Sequence, residues 1–373
     1  MARVIKRRKR VIKRRKLDSV SRDISGRKIS RRKERVDFIS SGCATLNLAL
    51  SGRIDGGWAR ARVVNVVGDG SSGKTLLALE AAFWFFNNMI GRKTKVFPKP
   101  VKKIHIVFDN IEGVMDFPIE EMYGEDFVKA VEWKRSRTIE AMGSNTKKYL
   151  KLSRKKGVAV LYIVDSWDAL EARAGLERIE DAMEKEDGAV KGSMNTEKQR
   201  YASQYFGHMS GEMEGCDFTL FIVSQVRTKI GVTFGKKTYR AGGKALDFYT
   251  HQVAWLREVE KLSKVRKGRK IVFGIRSEAK VERSKVAKPF RDAEFTILYD
   301  YGLDDIGACL RFLYGPKEKT IKWDGEKFKT RKQLIKYIED NDKEDILRQE
   351  VQNEWDSVED HFIAEIRKRK PRY

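Results

Sequence analysis

The residues Gly68, Asp69, Gly70, Ser71, Ser72, Gly73, Lys74 and Thr75 follow the spacing G-x-x-x-x-G-K-[ST]. That spacing suits the holding of a nucleoside triphosphate and its magnesium ion. Backbone N–H groups of such a loop wrap the β-phosphate, and the helix that follows adds its N-terminal partial positive charge. Lys74 is then placed to bridge the β- and γ-phosphates, and the Thr75 hydroxyl to hold Mg²⁺. A loop of this kind needs an acidic partner at the end of a neighbouring strand. Val158–Val164 is an apolar run that ends in Asp165 and Ser166, and a carboxylate there organises Mg²⁺ through its water shell. Hydrolysis also needs a group that polarises the attacking water. Glu112, just past the apolar run Ile104–Asp109, is the candidate general base, and Asp109 and Asp116 compete for the role.

A second constellation lies in Val226–Arg240. Arg227, Lys229, Lys236, Lys237 and Arg240 are interleaved with Phe234 and Tyr239. Cations bind a phosphate backbone, and an aromatic wedge separates stacked bases. Gly231 and Gly235 suit a loop that orders on binding; the plainer alternative is a solvated basic hairpin.

The elements that must position these residues are legible as apolar runs. Arg62–Val67, Ile104–Asp109, Val158–Val164 and Phe218–Val223 read as strands, with helical stretches such as Thr75–Asn88 and Ser193–Met213 between them. Strand and helix in alternation predict an α/β core with a mainly parallel twisted sheet flanked by helices. Gln252–Arg257, Lys270–Ile275 and Ala279–Arg283 follow with little helix between them, which predicts an antiparallel end to the sheet. Beyond Asp304, Thr320–Phe328 reads as a hairpin about Asp324-Gly325, and Arg331–Asn341 and Glu344–Arg367 read as helices. The expected organisation is a basic arm or oligomerisation segment over 1–36, the ATPase-type core over 37–304, and a small α+β domain with a basic tail over 305–373.

Composition narrows the classes. Of 373 residues, 41% are hydrophobic, enough for a sizeable core. The longest apolar stretch, Leu76–Phe86, contains Glu80 and is too short to span a bilayer, and no apolar segment of signal-peptide type follows the basic start. Cys43, Cys216 and Cys309 are too scattered for a disulfide framework or a paired zinc spacing, which fits a reducing compartment such as the cytoplasm. The four histidines show no metal spacing. The net charge is +25, of which residues 1–35 carry +14. That arm repeats RVIKRRK over Arg3–Lys9 and Arg10–Lys16. A polyanion, most often nucleic acid, is the expected partner; a solvated surface, an anionic membrane surface and a nuclear-localisation patch compete.

Taken together and in this order, the motifs resemble the RecA family of homologous recombinases. Ser40–Leu50 is similar to the lead-in before that family's P-loop, and Val164-Asp165-Ser166 to its magnesium-side strand. Gln225–Gly235 with Gly242–Phe248 is similar to its second DNA-binding loop and the helix behind it, and Lys288–Leu298 is a further match. The resemblance implies a RecA-type P-loop NTPase core. It implies that Glu112 activates water, that Asp116 contacts adenine, and that Gln225 senses the γ-phosphate and passes that state to the DNA loop. Arg283 and Lys285 fall on two lysines that reach a neighbouring subunit's ATP. A first DNA loop is expected in Glu177–Asn195, with Met194 as a candidate contact. The chain departs from the family where Asp69-Gly70 replaces Pro-Glu and where Ile119 replaces an adenine-stacking tyrosine.

The implied activity is a DNA-dependent ATPase, with ATP and Mg²⁺, that forms filaments on single-stranded DNA and pairs it with homologous duplex DNA. Single-strand-binding or loader proteins are further implied partners, and a membrane is not. The basic arm and divergent details would suit a bacteriophage or plasmid recombinase. A hexameric helicase-like motor on the same fold, and a non-catalytic ATP-binding protein that coats DNA, are the alternatives.

Overall fold

The computed structural model describes residues 36–113, 115, 118–183, 194–228, 238–240, 243–316 and 320–365. The repeat-bearing arm and the basic tail lie outside them, as do Asp116, Lys229, Phe234, Lys236 and Lys237. In chain order the strands are β1 (Phe38–Ile39), β2 (Trp58–Ala59), β3 (Val63–Gly68), β4 (Lys103–Asn110), β5 (Val131–Lys134), β6 (Val158–Asp165), β7 (Phe218–Thr228), β8 (Thr238–Arg240), β9 (Gln252–Arg266), β10 (Arg269–Ser284), β11 (Asp292–Leu298), β12 (Gly302–Leu303), β13 (Ile321–Trp323) and β14 (Glu326–Phe328). The helices are α1 (Ala44–Ser51), α2 (Lys74–Asn88), α3 (Ile119–Tyr123), α4 (Glu125–Ala130), α5 (Ile139–Ser153), α6 (Arg173–Met183), α7 (Met194–Glu212), α8 (Gly243–Tyr249), α9 (Asp305–Tyr314), α10 (Arg331–Asp340) and α11 (Glu344–Glu365).

Ten strands make one sheet in the order β12-β11-β10-β9-β3-β7-β6-β4-β5, with β8 paired to β7 off that path. From β9 through β3, β7, β6, β4 and β5 every neighbouring pair is parallel. From β9 to β12 every pair is antiparallel. The α/β architecture expected from the alternating runs is therefore the one present.

The parallel strands are apolar almost throughout because both faces are covered. Side chains alternate across the sheet. Val64, Val66, Leu161 and Ile163 pack with Leu76, Leu79 and Phe85 of α2 on one side. Val63, Val160, Tyr162 and Val164 pack with Met142 of α5 and Phe206 of α7 on the other. Asn65 is buried on β3, and its amide is satisfied by the Ile222 carbonyl and Ser224 Oγ, both at 2.9 Å.

A third cluster joins Ala44 and Leu48 of α1 to Ile306 and Leu310 of α9, Trp323 of β13, Leu334 of α10 and Leu347 of α11. The β13–β14 turn places Asp324 and Gly325 at φ 54 and 79, as the expected hairpin requires. No described helix is long and apolar enough to cross a membrane.

One expectation needs correcting. Lys270–Ile275 and Ala279–Arg283 are not two strands but parts of the single β10, which bends at register shifts near Val272/Gly274, Arg276/Ser277 and Val281/Arg283. Its partner β9 runs on past Arg257 to Arg266. Charged residues fill these extensions, so no apolar alternation marks them as strand; cross-strand pairing alone holds them.

Candidate active site

β3 ends at Gly68 and α2 begins at Lys74, so the phosphate-type loop sits at the C-terminal edge of the parallel strands. Tight packing fixes its shape. Gly73 has φ 93, and a Cβ there would lie 2.3 Å from Ile297 Cδ1; Ser71 also takes a positive φ of 60. Gly68 has no room either, since a Cβ would meet Ser72 Oγ and the Leu256 carbonyl. Ser277 of β10 donates to the Ser72 carbonyl at 3.1 Å, so the antiparallel strands also brace the loop. Within the loop, Ser72 Oγ and Lys74 Nζ both donate to the Asp69 carbonyl, at 2.8 and 2.5 Å. The Asp69 side chain is exposed and lines a cleft of ≈ 520 Å³ with Val226, Arg257 and Lys280.

Asp165 ends β6, two strands away, and the sheet register brings it to the loop. Thr75 Oγ1 donates to Asp165 Oδ2 at 2.6 Å. Burial pushes the Asp165 carboxyl up to about 6, with Glu112 adding to the rise and the Thr75 hydrogen bond and Lys74 opposing it. Burial also lowers the Lys74 ammonium, against the pull of Asp165, Glu112, Asp69 and Asp168. An excess of carboxylates around one lysine, with a hydroxyl bonded to one of them, offers hard oxygen donors of the kind magnesium takes. Among the described residues no three His, Cys, Asp or Glu side chains converge as a metal cage. The donor set fits a magnesium–triphosphate ligand, with Lys74, Thr75 and Asp165 as the residues that would hold it.

The structure separates the competing carboxylates. Asp109 is fully buried, and its oxygens accept from Ser136 N at 2.7 Å, Ser136 Oγ at 2.6 Å and Tyr162 OH at 2.6 Å. With three donors and no exposure it cannot meet a water. Glu112 is exposed, and its Oε1 accepts from Ser166 Oγ at 2.6 Å and from Gln225 Nε2 at 2.8 Å. It thus stands beside Asp165 and Gln225, on the side where Lys74 lies.

Gln225 belongs to β7, whose continuation pairs with β8 as a hairpin: Val226 with Arg240, Arg227 with Tyr239, Thr228 with Thr238. Arg227 and Arg240 therefore lie on opposite strands near its root, one register step apart, while their side chains, like that of Met194 at the start of α7, lie outside the described residues. Arg283 and Lys285 are not brought to this loop. Ser284 pairs with Gln252, which is level with Val64, so both cations sit at the opposite edge of the sheet, about four strand residues or ~13 Å below Gly68. Lys285 Nζ donates there to the Phe248 carbonyl at 2.6 Å.

One residue of the site was missed in the sequence. Asp168 accepts the Gln225 backbone N–H at 2.5 Å, while its own carbonyl accepts from Lys198 Nζ of α7 at 2.9 Å. It ties β7, α7 and the 3-10 turn after Asp165 together. A second acid three residues past Asp165, at the same strand end, was the available signal.

A strand, a glycine-rich loop and a helix, with an acid at the end of a neighbouring strand in a mainly parallel sheet, define a P-loop core of the RecA type. The RecA N-terminal domain family matches residues 142–304. The chain is similar to Protein RecA of Rippkaea orientalis, 28% identical over 82% of this chain and 79% of that protein. It is similar to Protein RecA of a Picosynechococcus species, 29% identical over 86% and 84%, and of a Synechococcus species, 32% identical over 74% and 64%. These matches show a likeness to RecA proteins over most of the chain; they carry nothing about a bacteriophage or plasmid source.

Proposed function

We propose that the chain is a DNA-dependent ATPase that polymerises on single-stranded DNA and catalyses homologous pairing and strand exchange in recombination and repair. Kinship with RecA supports an ATP-binding, DNA-acting role in general terms; the finer reading rests on the site. The observation that carries it is the contact of Gln225 with Glu112, because the same strand continues into the β7–β8 hairpin. A change at the triphosphate side of Glu112 reaches that hairpin through one amide and one strand.

In this reading Lys74 and the loop bind the phosphates, Thr75 and Asp165 hold magnesium, and Glu112 takes a proton from the attacking water. Asp116 contacts the adenine. Arg227, Lys229, Lys236, Lys237 and Arg240 neutralise DNA phosphates, Phe234 wedges between bases, and Met194 contacts DNA from the first loop. Arg283 and Lys285, remote from their own loop, serve the triphosphate of the next subunit, so the filament completes the site. The place of action is the cytoplasm, with single-strand-binding or loader proteins as accessory partners.

The test is ATP hydrolysis with and without single-stranded DNA for the wild type and Glu112→Gln, together with electron microscopy and a strand-exchange assay. Helical filaments, DNA-stimulated hydrolysis that the substitution abolishes, and exchanged strands are expected. Closed rings, or hydrolysis indifferent to DNA, would overturn the proposal in favour of a motor or another ATPase.

A further inference from the structure

Among the described strands, β9 beyond Leu256, which pairs with Gly68, has no partner except β10; beyond Gly274, which pairs with Leu298, β10 has no strand partner except β9, and Phe273 alone still accepts from Tyr299 N at 3.0 Å. The segment Ser263–Val272 is therefore a two-stranded ribbon outside the sheet. Because β9 runs parallel to β3, the ribbon projects from the edge that carries the phosphate-type loop and the root of the β7–β8 hairpin. It closes on Lys267-Gly268, both at positive φ, 50 and 72, a tight two-residue turn.

Its composition is one-sided. Lys261, Lys264, Arg266, Lys267, Arg269 and Lys270 lie within ten residues, and no Asp or Glu occurs from 261 to 277. The acids at the ribbon's base are already engaged, Glu278 with Arg257 and Glu260 with Arg276. Among the described residues no carboxylate pairs with Arg266, Lys267, Arg269 or Lys270. Arg266 stands directly opposite Arg269, a like-charge cross-strand pair that destabilises the hairpin. An isolated two-stranded ribbon is marginal in water in any case. Val265 is 70% exposed and Ile271 58%, so no apolar face offsets these costs.

We propose that this ribbon is a binding element for duplex DNA, separate from the β7–β8 hairpin and resting on the DNA partner proposed above. A two-stranded ribbon fits the width of the major groove. Lys264, Arg266 and Arg269 share one face and Lys270 the other, so cations reach the phosphates on both walls. Cations at i and i+2 repeat about every 6.7 Å, about twice the axial rise per phosphate of one strand of a duplex. Bound phosphates supply the anions that the ribbon lacks. An acidic protein surface would need a matching density of carboxylates, and a membrane surface would favour a helix with one apolar face over a ribbon charged on both sides.

The test combines Lys264→Ala, Arg266→Ala, Lys267→Ala, Arg269→Ala and Lys270→Ala in the full chain. Binding to a duplex oligonucleotide of about 30 base pairs is followed by anisotropy from about 50 to about 200 mM salt. The logarithmic salt slope should become shallower by about 2 to 4, with a roughly 10- to 100-fold weaker affinity. ATP hydrolysis stimulated by single-stranded DNA should persist. If the fivefold variant does not fold by circular dichroism, Lys267→Ala with Lys270→Ala reads the same slope, with a change of about 1 to 2. An unchanged duplex slope, or a wild type that binds no duplex, overturns the proposal. So does loss of binding to anionic phosphatidylserine vesicles while duplex binding stays intact. Failure of DNA-stimulated hydrolysis in wild type and variant alike would sink the recombinase reading alone, since duplex binding is read without hydrolysis.

Discussion

The two halves of the sheet obey different rules. The parallel half, centred on β3, β7, β6 and β4, is buried on both faces along most of its length, and its buried Asn65, Asp109 and Tyr162 are each hydrogen-bonded. The outer part of the antiparallel half, where β9 and β10 leave the sheet, is exposed among the described residues and carries like charges opposite one another. Burial makes the first half intolerant of unpaired polarity and therefore able to hold carboxylates and a lysine at fixed positions. The second half has no layer to satisfy and is free to be shaped by a ligand. The difference teaches that the strands most easily read as strand build the site, while the strands hardest to read offer surface.

The comparison breaks most visibly where the parallel half is deprived of a charge. Arg60 is buried before β3 and donates to Asp217 at 2.8 Å and to Asp37 at 2.6 Å, so it neutralises two buried acids. Arg60→Met should lower unfolding free energy by about 3–5 kcal/mol, since Asp217 loses its guanidinium partner and Asp37 keeps only the longer contact with Arg92 at 3.5 Å. Denaturant melts at neutral pH check it; a loss under ~1 kcal/mol would contradict the picture of a strictly paired interior.

Glu80 sharpens the same point through pH. It lies on α2 and accepts from Tyr123 OH at 3.0 Å, and burial pushes its carboxyl up to about 7, with Asp305 adding to the rise. The folded state thus keeps a proton that the unfolded chain gives up near the ordinary carboxylate value. Stability from this group is full below about 4.5, falls as pH rises, and is lost above about 7. Glu80→Gln should be more stable than the wild type at pH 8 by on the order of 2 kcal/mol and nearly equal to it at pH 4. Parallel melts at the two pH values would refute this if the gap did not open on the alkaline side.

Gly274 marks the point where the ribbon leaves the antiparallel half. A Cβ there would lie 2.4 Å from the Ile297 carbonyl oxygen and 3.2 Å from Leu298 Cα, both backbone atoms. Gly274→Ala should cost about 1–3 kcal/mol by forcing β10 away from β11. Thermal denaturation measures it, and a neutral result would mean the junction is soft. The smallest expected effect is on the ribbon itself. Arg269→Glu turns a like-charge pair with Arg266 into an opposite-charge one and should stabilise by roughly 0.2–1 kcal/mol while weakening duplex binding. A gain in stability with stronger duplex binding would dissolve the contrast between the two regions.

The sequence alone determined the covalent spacing of Gly68 to Thr75, the apolar runs of β3, β4, β6 and β7, and the hairpin at Asp324-Gly325. Each is a local property: loop chemistry is set by consecutive residues, and a strand buried on both faces must be apolar along its length. Read without the family resemblance, the chain left Asp109 and Glu112 in competition, and tertiary structure removed Asp109. They lie three residues apart with the same chemistry, and only packing consumes the first with Ser136 and Tyr162 while leaving the second beside Gln225. The same holds for Asp168, whose contact with Gln225 spans 57 positions, and for the removal of Arg283 and Lys285 to the far edge of the sheet. The exposed reaches of β9 and β10 were illegible because exposed strands need no apolar alternation. Hydrogen bonds to a partner strand make them, and which strand is the partner is settled only when distant parts of the chain are brought together.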